Sequence, residues 1–183
     1  VFTQPDKPAG RGLALTPPEV KTRALALGLR VEQPTKVRTP EFAELVRSFD
    51  ADVALVVAYG RILPRAVLDA PRGGCINVHG SLLPHWRGAA PIQWSVAAGD
   101  TETGVTLMQM DEGLDTGPMI SVLKTPIGEN ETAGELAVRM AELGAELVRT
   151  KLVDAVSGAL PRIGQPEGEL PYARLLEKTD GIL

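Results

Sequence analysis

The residues best suited to chemistry are Asn77 and His79, which stand two positions apart just before Gly80 and Ser81. Residues two apart in a strand point to the same face, so we expect both side chains to lie together where that strand ends. An amide can stabilise a developing oxyanion, and an imidazole can move a proton near neutral pH. A hydrogen-bonded polar pair that merely closes a strand fits the same residues, and the motif alone leaves both interpretations open.

A second candidate is the loop from Asp111 to Gly117, which places three carboxylates and two glycines in seven residues. A buried aspartate of this loop could orient a histidine and stabilise its charge. A solvated acidic turn with glycine at positive φ explains the loop, taken alone, more simply. A metal site made of His79, Asp111 and Asp115 is a weaker alternative, because zinc sites usually use more histidine than this chain offers. We therefore expect no metal.

Composition excludes several classes of protein. The chain has 183 residues, and its single cysteine, Cys75, excludes a disulfide framework and a cysteine-based zinc cluster. Neither a phosphate-binding loop of the G-x-x-x-x-G-K type nor a G-x-G-x-x-G dinucleotide motif is present. No apolar run is long enough to span a membrane, and no signal peptide is seen. We expect a protein of the bacterial cytosol or of an equivalent organelle compartment.

The charge is unevenly distributed along the chain. The net charge of −4 argues against a generally basic nucleic-acid binder. Residues 1–40, however, contain seven Lys or Arg against three Asp or Glu, so this part of the chain is basic. An acidic protein with a basic front end can still meet an anionic partner locally.

Strands and helices alternate along the chain, which predicts an α/β fold with a mainly parallel, twisted sheet flanked by helices. The continuously apolar run Val53–Tyr59 is typical of a strand buried on both faces, and Cys75–His79 is predicted as the next strand. Thr39-Pro40 predicts a helix start, and Thr132 with Glu135 forms a capping-box signature before a long amphipathic helix. Residues 4–16 are predicted to be a loop.

Longer motifs then resemble one family. Two segments resemble a signature of the 10-formyltetrahydrofolate-dependent formyltransferases: residues 76–84 (INVHGSLLP) and residues 87–92 (RGAAPI). Their active-site aspartate loop is similar to residues 111–118 (DEGLDTGP), and their folate-binding segment to residues 57–64 (VAYGRILP). A loop particular to the members that act on methionyl initiator tRNA resembles residues 3–12 (TQPDKPAGRG). The resemblance covers nearly the whole chain.

The resemblance implies a Rossmann-like formyltransferase fold and a catalytic set of Asn77, His79 and Asp115. The implied reaction moves a formyl group from the cosubstrate 10-formyltetrahydrofolate to the α-amine of methionine on initiator tRNA. The tRNA would meet the basic residues Lys7 and Arg11, and the implied enzyme is monomeric and needs no metal. The residues implied to hold the folate are Arg61, Ile62, Leu63, Ser81, Leu82, Leu83, Pro84, Asp111 and Glu112.

The resemblance also implies a domain plan. Residues 1–160 would form the catalytic domain without the first strand and helix of the family, and residues 161–183 would be a linker toward a C-terminal β-barrel. The sequence departs from some relatives at 12–15 (GLAL), where those relatives carry further lysines. Three alternatives stay open: a folate-dependent formyltransferase for a small amine (an amino sugar or a glycinamide ribonucleotide), a binding module that keeps the fold without catalysis, and a metal-dependent hydrolase.

Overall fold

The computed structural model describes residues 1–9, 13–166, 168 and 170–181. Helices and strands alternate along most of this range. In chain order they are β1 (Lys7–Ala9), β2 (Ala14–Thr16), α1 (Glu19–Ala26), α2 (Pro40–Arg47), β3 (Ala54–Val57), α3 (Arg65–Leu68), β4 (Cys75–His79), β5 (Arg87–Gly88), α4 (Pro91–Ala97), β6 (Glu102–Gln109), β7 (Met119–Pro126), α5 (Ala133–Ser157) and β8 (Tyr172–Ala173).

The main sheet has four strands in the order β3-β4-β6-β7. β3 and β4 are parallel, whereas β6 is antiparallel to both β4 and β7. The predicted α/β class is confirmed, but the described sheet is mixed rather than mainly parallel. A direct reason applies to β6 and β7: residues 110–118 join them without a crossover helix, so the chain must reverse direction.

Alternation along β4 sends its side chains into two different environments. Ile76 and Val78 face α5, where they pack with Leu136, Met140 and neighbouring apolar residues. Cys75 lies on the other face and belongs to a core shared with α2 and α3. Because side chains alternate, Asn77 and His79 share the face of Cys75, opposite α5.

Helix α5 packs against β6 and β7 of the main sheet. It begins with the predicted capping box, in which the Thr132 hydroxyl accepts the Glu135 backbone N–H and the Glu135 carboxylate accepts the Thr132 backbone N–H. It ends at Gly158, whose φ of 79° lies in the left-handed region. Leu136 and Leu147 are fully buried against the sheet, and burying each contributes about 1.5–3 kcal/mol.

Two local predictions are wrong. β3 was expected to be buried on both faces, but Leu55 and Val57 are 39% and 58% exposed, since no described element covers that face at this edge of the sheet. Residues 4–16 were expected to be a loop, but β1 and β2 pair as an antiparallel hairpin. All six of its paired residues are exposed, so no hydropathy pattern could mark the hairpin.

The residues after α5 fold back onto the domain. Ile163 forms an antiparallel bridge with Met119, β8 pairs in parallel with β5, and a 3₁₀ turn covers Lys178–Gly181. We refer to the described part of residues 161–181 as the C-terminal segment. Within the described ranges, no helix has both the length and the apolar character needed to cross a bilayer.

Candidate active site

Asn77, His79 and Asp115 meet on the face of the sheet opposite α5. Asp115 Oδ2 lies 3.6 Å from His79 Nδ1, and Asp115 Oδ1 lies 3.5 Å from the Asn77 amide nitrogen. β4 supplies the first two residues, and the β6–β7 loop supplies the aspartate. The three residues grouped by sequence resemblance are therefore neighbours in space, although Asp115 follows His79 by 36 positions in the chain.

His79 is 5% exposed, and a backbone carbonyl orients its ring. Nε2 lies 2.9 Å from the carbonyl oxygen of Trp86. Because a carbonyl can only accept, Nε2 carries the proton and Nδ1 faces the Asp115 carboxylate. The Trp86 carbonyl therefore occupies Nε2, and the Nδ1 edge of the ring faces Asp115.

The Trp86 carbonyl is held in place by an unusual backbone and by an anchored side chain. Trp86 has φ of 56°, in the left-handed region that bulky residues seldom adopt. Its indole N–H donates to Asp100 Oδ2 at 2.6 Å, and its ring stacks on Trp94 with centroids 6.0 Å apart. These contacts fix the group that orients His79.

Asp115 is held at both its side chain and its backbone. The Gly88 N–H donates to Oδ2 at 3.0 Å, and the Gln165 side-chain amide donates to the Asp115 carbonyl at 2.8 Å. Gly88 belongs to a motif that the resemblance includes, so a signal for it existed. Gln165 was missed, because no motif or periodicity in the sequence marks it.

The residues that follow β4 form a fixed wall. Ser81 is fully buried, and its hydroxyl donates to the His85 carbonyl at 2.5 Å. The Thr106 hydroxyl donates to the Ser81 carbonyl and accepts the Leu83 N–H. Since Ser81 and Leu83 are buried, only Leu82 and Pro84 of this predicted folate group present partly exposed side chains.

Leu82 also lines an open cleft of about 310 Å³. The other residues that line the cleft are His85, Trp86, Asp100, Thr101, Glu102 and Thr103. Neither Asn77 nor Asp115 lines it, so the cleft lies beside the catalytic candidates rather than over them. The candidate active site is therefore located by the distances among Asn77, His79 and Asp115 rather than by this cleft.

The predicted folate-binding segment, residues 57–64, contains both exposed and buried side chains. Arg61 and Ile62 are exposed, whereas Leu63 is 8% exposed and packs in the core with Val67. The Gln4 amide donates to the Tyr59 carbonyl at 2.6 Å, and Arg61 Nε donates to Gln4 Oε1 at 3.3 Å. The segment is thus tied to the basic front end of the chain.

Asp111 and Glu112 lie exposed on the β6–β7 loop. Asp111 accepts hydrogen bonds from the Gly113 N–H and the Thr116 hydroxyl, which closes a tight turn. Asp69 raises the pKa of Arg65 through a hydrogen bond and its charge, with a smaller contribution from the charge of Glu112. The loop therefore approaches α3, which directly follows the predicted folate segment.

At the front end, Lys7 is exposed on β1, and Arg11 lies outside the described residues. Asp6 accepts from the Gln33 amide at 2.7 Å and pairs with Lys21. The Gln33 hydrogen bond and, after it, that of Lys21 hold the pKa of Asp6 below its usual value. These contacts secure the base of the hairpin that carries Lys7.

The thiol of Cys75 is 1% exposed on the same strand as Asn77 and His79. Burial, with a smaller effect from Asp69, raises its pKa to about 11, so it is protonated at neutral pH. Among the described residues, no group of three or more His, Cys, Asp or Glu side chains is arranged to hold a metal ion.

Comparison with known proteins places this geometry in a family. Residues 1–152 match the family model described as "Formyl transferase". The chain is 58% identical over 181 residues to the methionyl-tRNA formyltransferase of Sorangium cellulosum, covering 99% of this chain and 58% of that protein. It is 54% identical over 183 residues to that of Myxococcus xanthus, covering 100% of this chain and 59% of that protein.

A solved structure extends the comparison to the fold. The formyltransferase PseJ from Anoxybacillus kamchatkensis, solved with a formamido sugar nucleotide and tetrahydrofolate, matches with a TM-score of 0.68 and 27% identity. The match covers 87% of this chain and 82% of that one. The chain belongs to the formyl transferase family and has its Rossmann-like α/β fold, and it spans about three-fifths of the curated relatives it matches.

Proposed function

We propose that this chain is the catalytic part of a methionyl-tRNA formyltransferase. It would transfer the formyl group of 10-formyltetrahydrofolate to the α-amine of methionine on initiator tRNA. The observation that carries the proposal is the convergence of Asn77, His79 and Asp115, with Oδ2 of Asp115 3.6 Å from the imidazole, in a chain more than half identical to enzymes of that name.

The reaction needs an oxyanion stabiliser and a route for one proton. The amine nitrogen attacks the formyl carbon, and the carbonyl oxygen becomes an oxyanion that the Asn77 amide can stabilise. The amine then loses a proton, the bond between the formyl carbon and N10 breaks, and N10 takes up a proton. His79 and Asp115 form the pair that accepts the first proton and returns it to the leaving nitrogen.

The gap between His79 Nδ1 and Asp115 is 3.6 Å, longer than a hydrogen bond. Catalytic hydrogen bonds are often long before substrate binds and shorten in the reacting complex. The fixed proton on Nε2, held by the Trp86 carbonyl, leaves Nδ1 as the nitrogen that exchanges a proton. This assigns Asp115 the tasks of orienting His79 and stabilising its protonated form.

The folate would lie near the β6–β7 loop and the segment at residues 61–64. Exposed Ile62 offers apolar surface, and the carboxylates of Asp111 and Glu112 offer hydrogen-bond acceptors for a pterin ring. The tetrahydrofolate in the PseJ structure supports a folate donor for this family member. Buried Leu63, Ser81 and Leu83 would shape the walls rather than contact the ligand through their side chains.

The tRNA would approach over the front hairpin. Lys7 is exposed at its base, and Gln4 ties that region to Tyr59 and Arg61. A cation at this position can contact a phosphate of the acceptor stem. Arg11 is proposed for the same role from the sequence resemblance alone.

A small-amine formyltransferase is the rival candidate, because the solved neighbours include formyltransferases for sugars and for glycinamide ribonucleotide. The test supplies 10-formyltetrahydrofolate and the full-length protein with methionyl initiator tRNA, a nucleotide-linked amino sugar, or glycinamide ribonucleotide. We expect formylation of the tRNA substrate alone. Activity confined to a small amine would replace the proposal with the rival, and activity on none of them would reject both.

A further inference from the structure

We infer that the C-terminal segment is part of the active site, and that its Gln165 is a positioning residue that holds Asp115 against His79. The inference deepens the proposed function and rests on it. The sequence had suggested a linker for this region, and nothing in the resemblance assigns Gln165 a role.

The first support is the way Gln165 uses its amide. Its Nε2 group donates to the Asp115 carbonyl at 2.8 Å and to the Gly117 carbonyl at 2.7 Å. A side-chain amide has two N–H donors, so both are used on the loop that carries the catalytic candidate. Asp115 has φ of 54°, and a non-glycine residue keeps such a backbone only where its surroundings hold it.

The second support is that Gln165 is itself oriented. Arg87 Nε donates to Gln165 Oε1 at 2.8 Å, which directs the Nε2 group toward the two loop carbonyls. Arg87 lies in β5, directly before Gly88, whose N–H donates to the Asp115 carboxylate. One connected set of hydrogen bonds thus joins the C-terminal segment, β5 and Asp115.

The third support comes from β8. Ala173 is fully buried opposite Gly88, and its carbonyl accepts the N–H groups of Ala89 and Ala90 at 2.7 and 3.0 Å. A Cβ at Gly88 would lie 2.6 Å from that carbonyl, so the two strands approach as closely as glycine permits. The C-terminal segment therefore holds Asp115 twice, through its backbone by Gln165 and through its carboxylate by way of Gly88.

The substitution Gln165→Glu tests the role with little change of volume. Glutamate keeps the contact with Arg87 but removes both N–H donors and sets a carboxylate against two carbonyl oxygens. We expect kcat in the full-length protein to fall about ten- to a hundredfold, because small displacements of a reacting group are costly, while the KM for methionyl-tRNA changes little. Gln93→Ala, on the exposed side of α4, is the matched control and should leave kcat unchanged.

A double-mutant cycle separates positioning from general structure. If Gln165 acts through Asp115, then Gln165→Glu should cause no further loss of kcat in an Asp115→Asn background. Thermal denaturation checks folding. Should Gln165→Glu lose its fold, Gln165→Asn, which keeps both donors on a shorter side chain, enters the same cycle.

The outcomes are distinct. An active parent whose kcat is unchanged by Gln165→Glu, or falls equally in both backgrounds, overturns the positioning role and leaves the proposed function standing. A parent that formylates no amine overturns the proposed function. A fall in kcat that disappears in the Asp115→Asn background supports the inference.

Discussion

The carboxylate of Asp115 lies 3.6 Å from Nδ1 of His79, on the side of the ring opposite the hydrogen bond to the Trp86 carbonyl. In the proposed mechanism the two ring nitrogens therefore have different tasks: Nε2 stays bonded to the Trp86 carbonyl, and Nδ1 exchanges a proton. The proposed mechanism therefore depends on the position of the β6–β7 loop, which carries Asp115 and is held by Gly88 and Gln165.

His79→Ala should lower the rate of formyl transfer by about 10²–10⁴-fold, the usual contribution of a positioned general acid–base group. The measurement is the steady-state formation of formylmethionyl-tRNA by the full-length protein. Gln93→Ala is the control, because Gln93 lies on the exposed side of α4. Equal rates for the parent and His79→Ala would remove His79 from the chemistry.

Lys7→Ala should raise the KM for tRNA without a matching fall in kcat, because an exposed lysine that contacts phosphate contributes binding rather than chemistry. The dependence of log affinity on log salt concentration should become shallower by about one unit. Arg149→Ala removes one exposed cation from α5, which packs on the face of the sheet away from Asn77 and His79, and serves as the control. An unchanged salt slope in Lys7→Ala would place the tRNA contact elsewhere.

Thr132→Ala should lower the free energy of unfolding by about 1 kcal/mol, because it removes the side-chain acceptor of the α5 capping box. Urea denaturation measures the change. Thr150→Ala in the same helix is the control, since Thr150 bonds back to the Glu146 carbonyl and its loss should cost little. Equal changes in the free energy of unfolding for the two substitutions would mean that the capping box does not stabilise the helix.

Cys75 should make stability fall between pH 9 and 11. Its pKa is about 11 in the folded chain against 9.0 for an unperturbed thiol. The unfolded chain therefore releases the proton first, which favours unfolding as the pH rises. Urea midpoints at pH 8 and pH 10 should differ more in the parent than in Cys75→Ala; an identical pH dependence in both would contradict this.

The sequence predicted those features of the fold that are encoded by a few neighbouring residues. The strand Cys75–His79, the cap at Thr39 and the capping box at Thr132 were found because each is encoded within a few residues. The antiparallel direction of β6 was not predicted, because hydropathy periodicity carries no information about strand direction. The exposure of Val57 was missed for a related reason. An apolar run shows that both faces of a strand could be buried, but it does not show that another element covers them.

The site shows the same division. The resemblance grouped Asn77, His79 and Asp115, and the fold brings them within contact distance. The groups that hold them are a carbonyl at Trp86, an N–H at Gly88 and an amide at Gln165, which lies 50 residues from Asp115 along the chain. Gly88 lies in a recognised motif, but neither its hydrogen bond to Asp115 nor the roles of the Trp86 carbonyl and the Gln165 amide can be read from the sequence, so only the folded geometry reveals them.

The most direct test of the central claim is the single-turnover rate of formylmethionyl-tRNA formation in Asp115→Asn. This substitution keeps the size of the side chain and removes the charge that faces His79 Nδ1. We predict a rate at least about a hundredfold below the parent, with binding of the folate and the tRNA retained, as expected when a histidine loses its orienting carboxylate. A rate close to that of the parent would contradict the account, because the His79–Asp115 pair would then play no part in moving the proton.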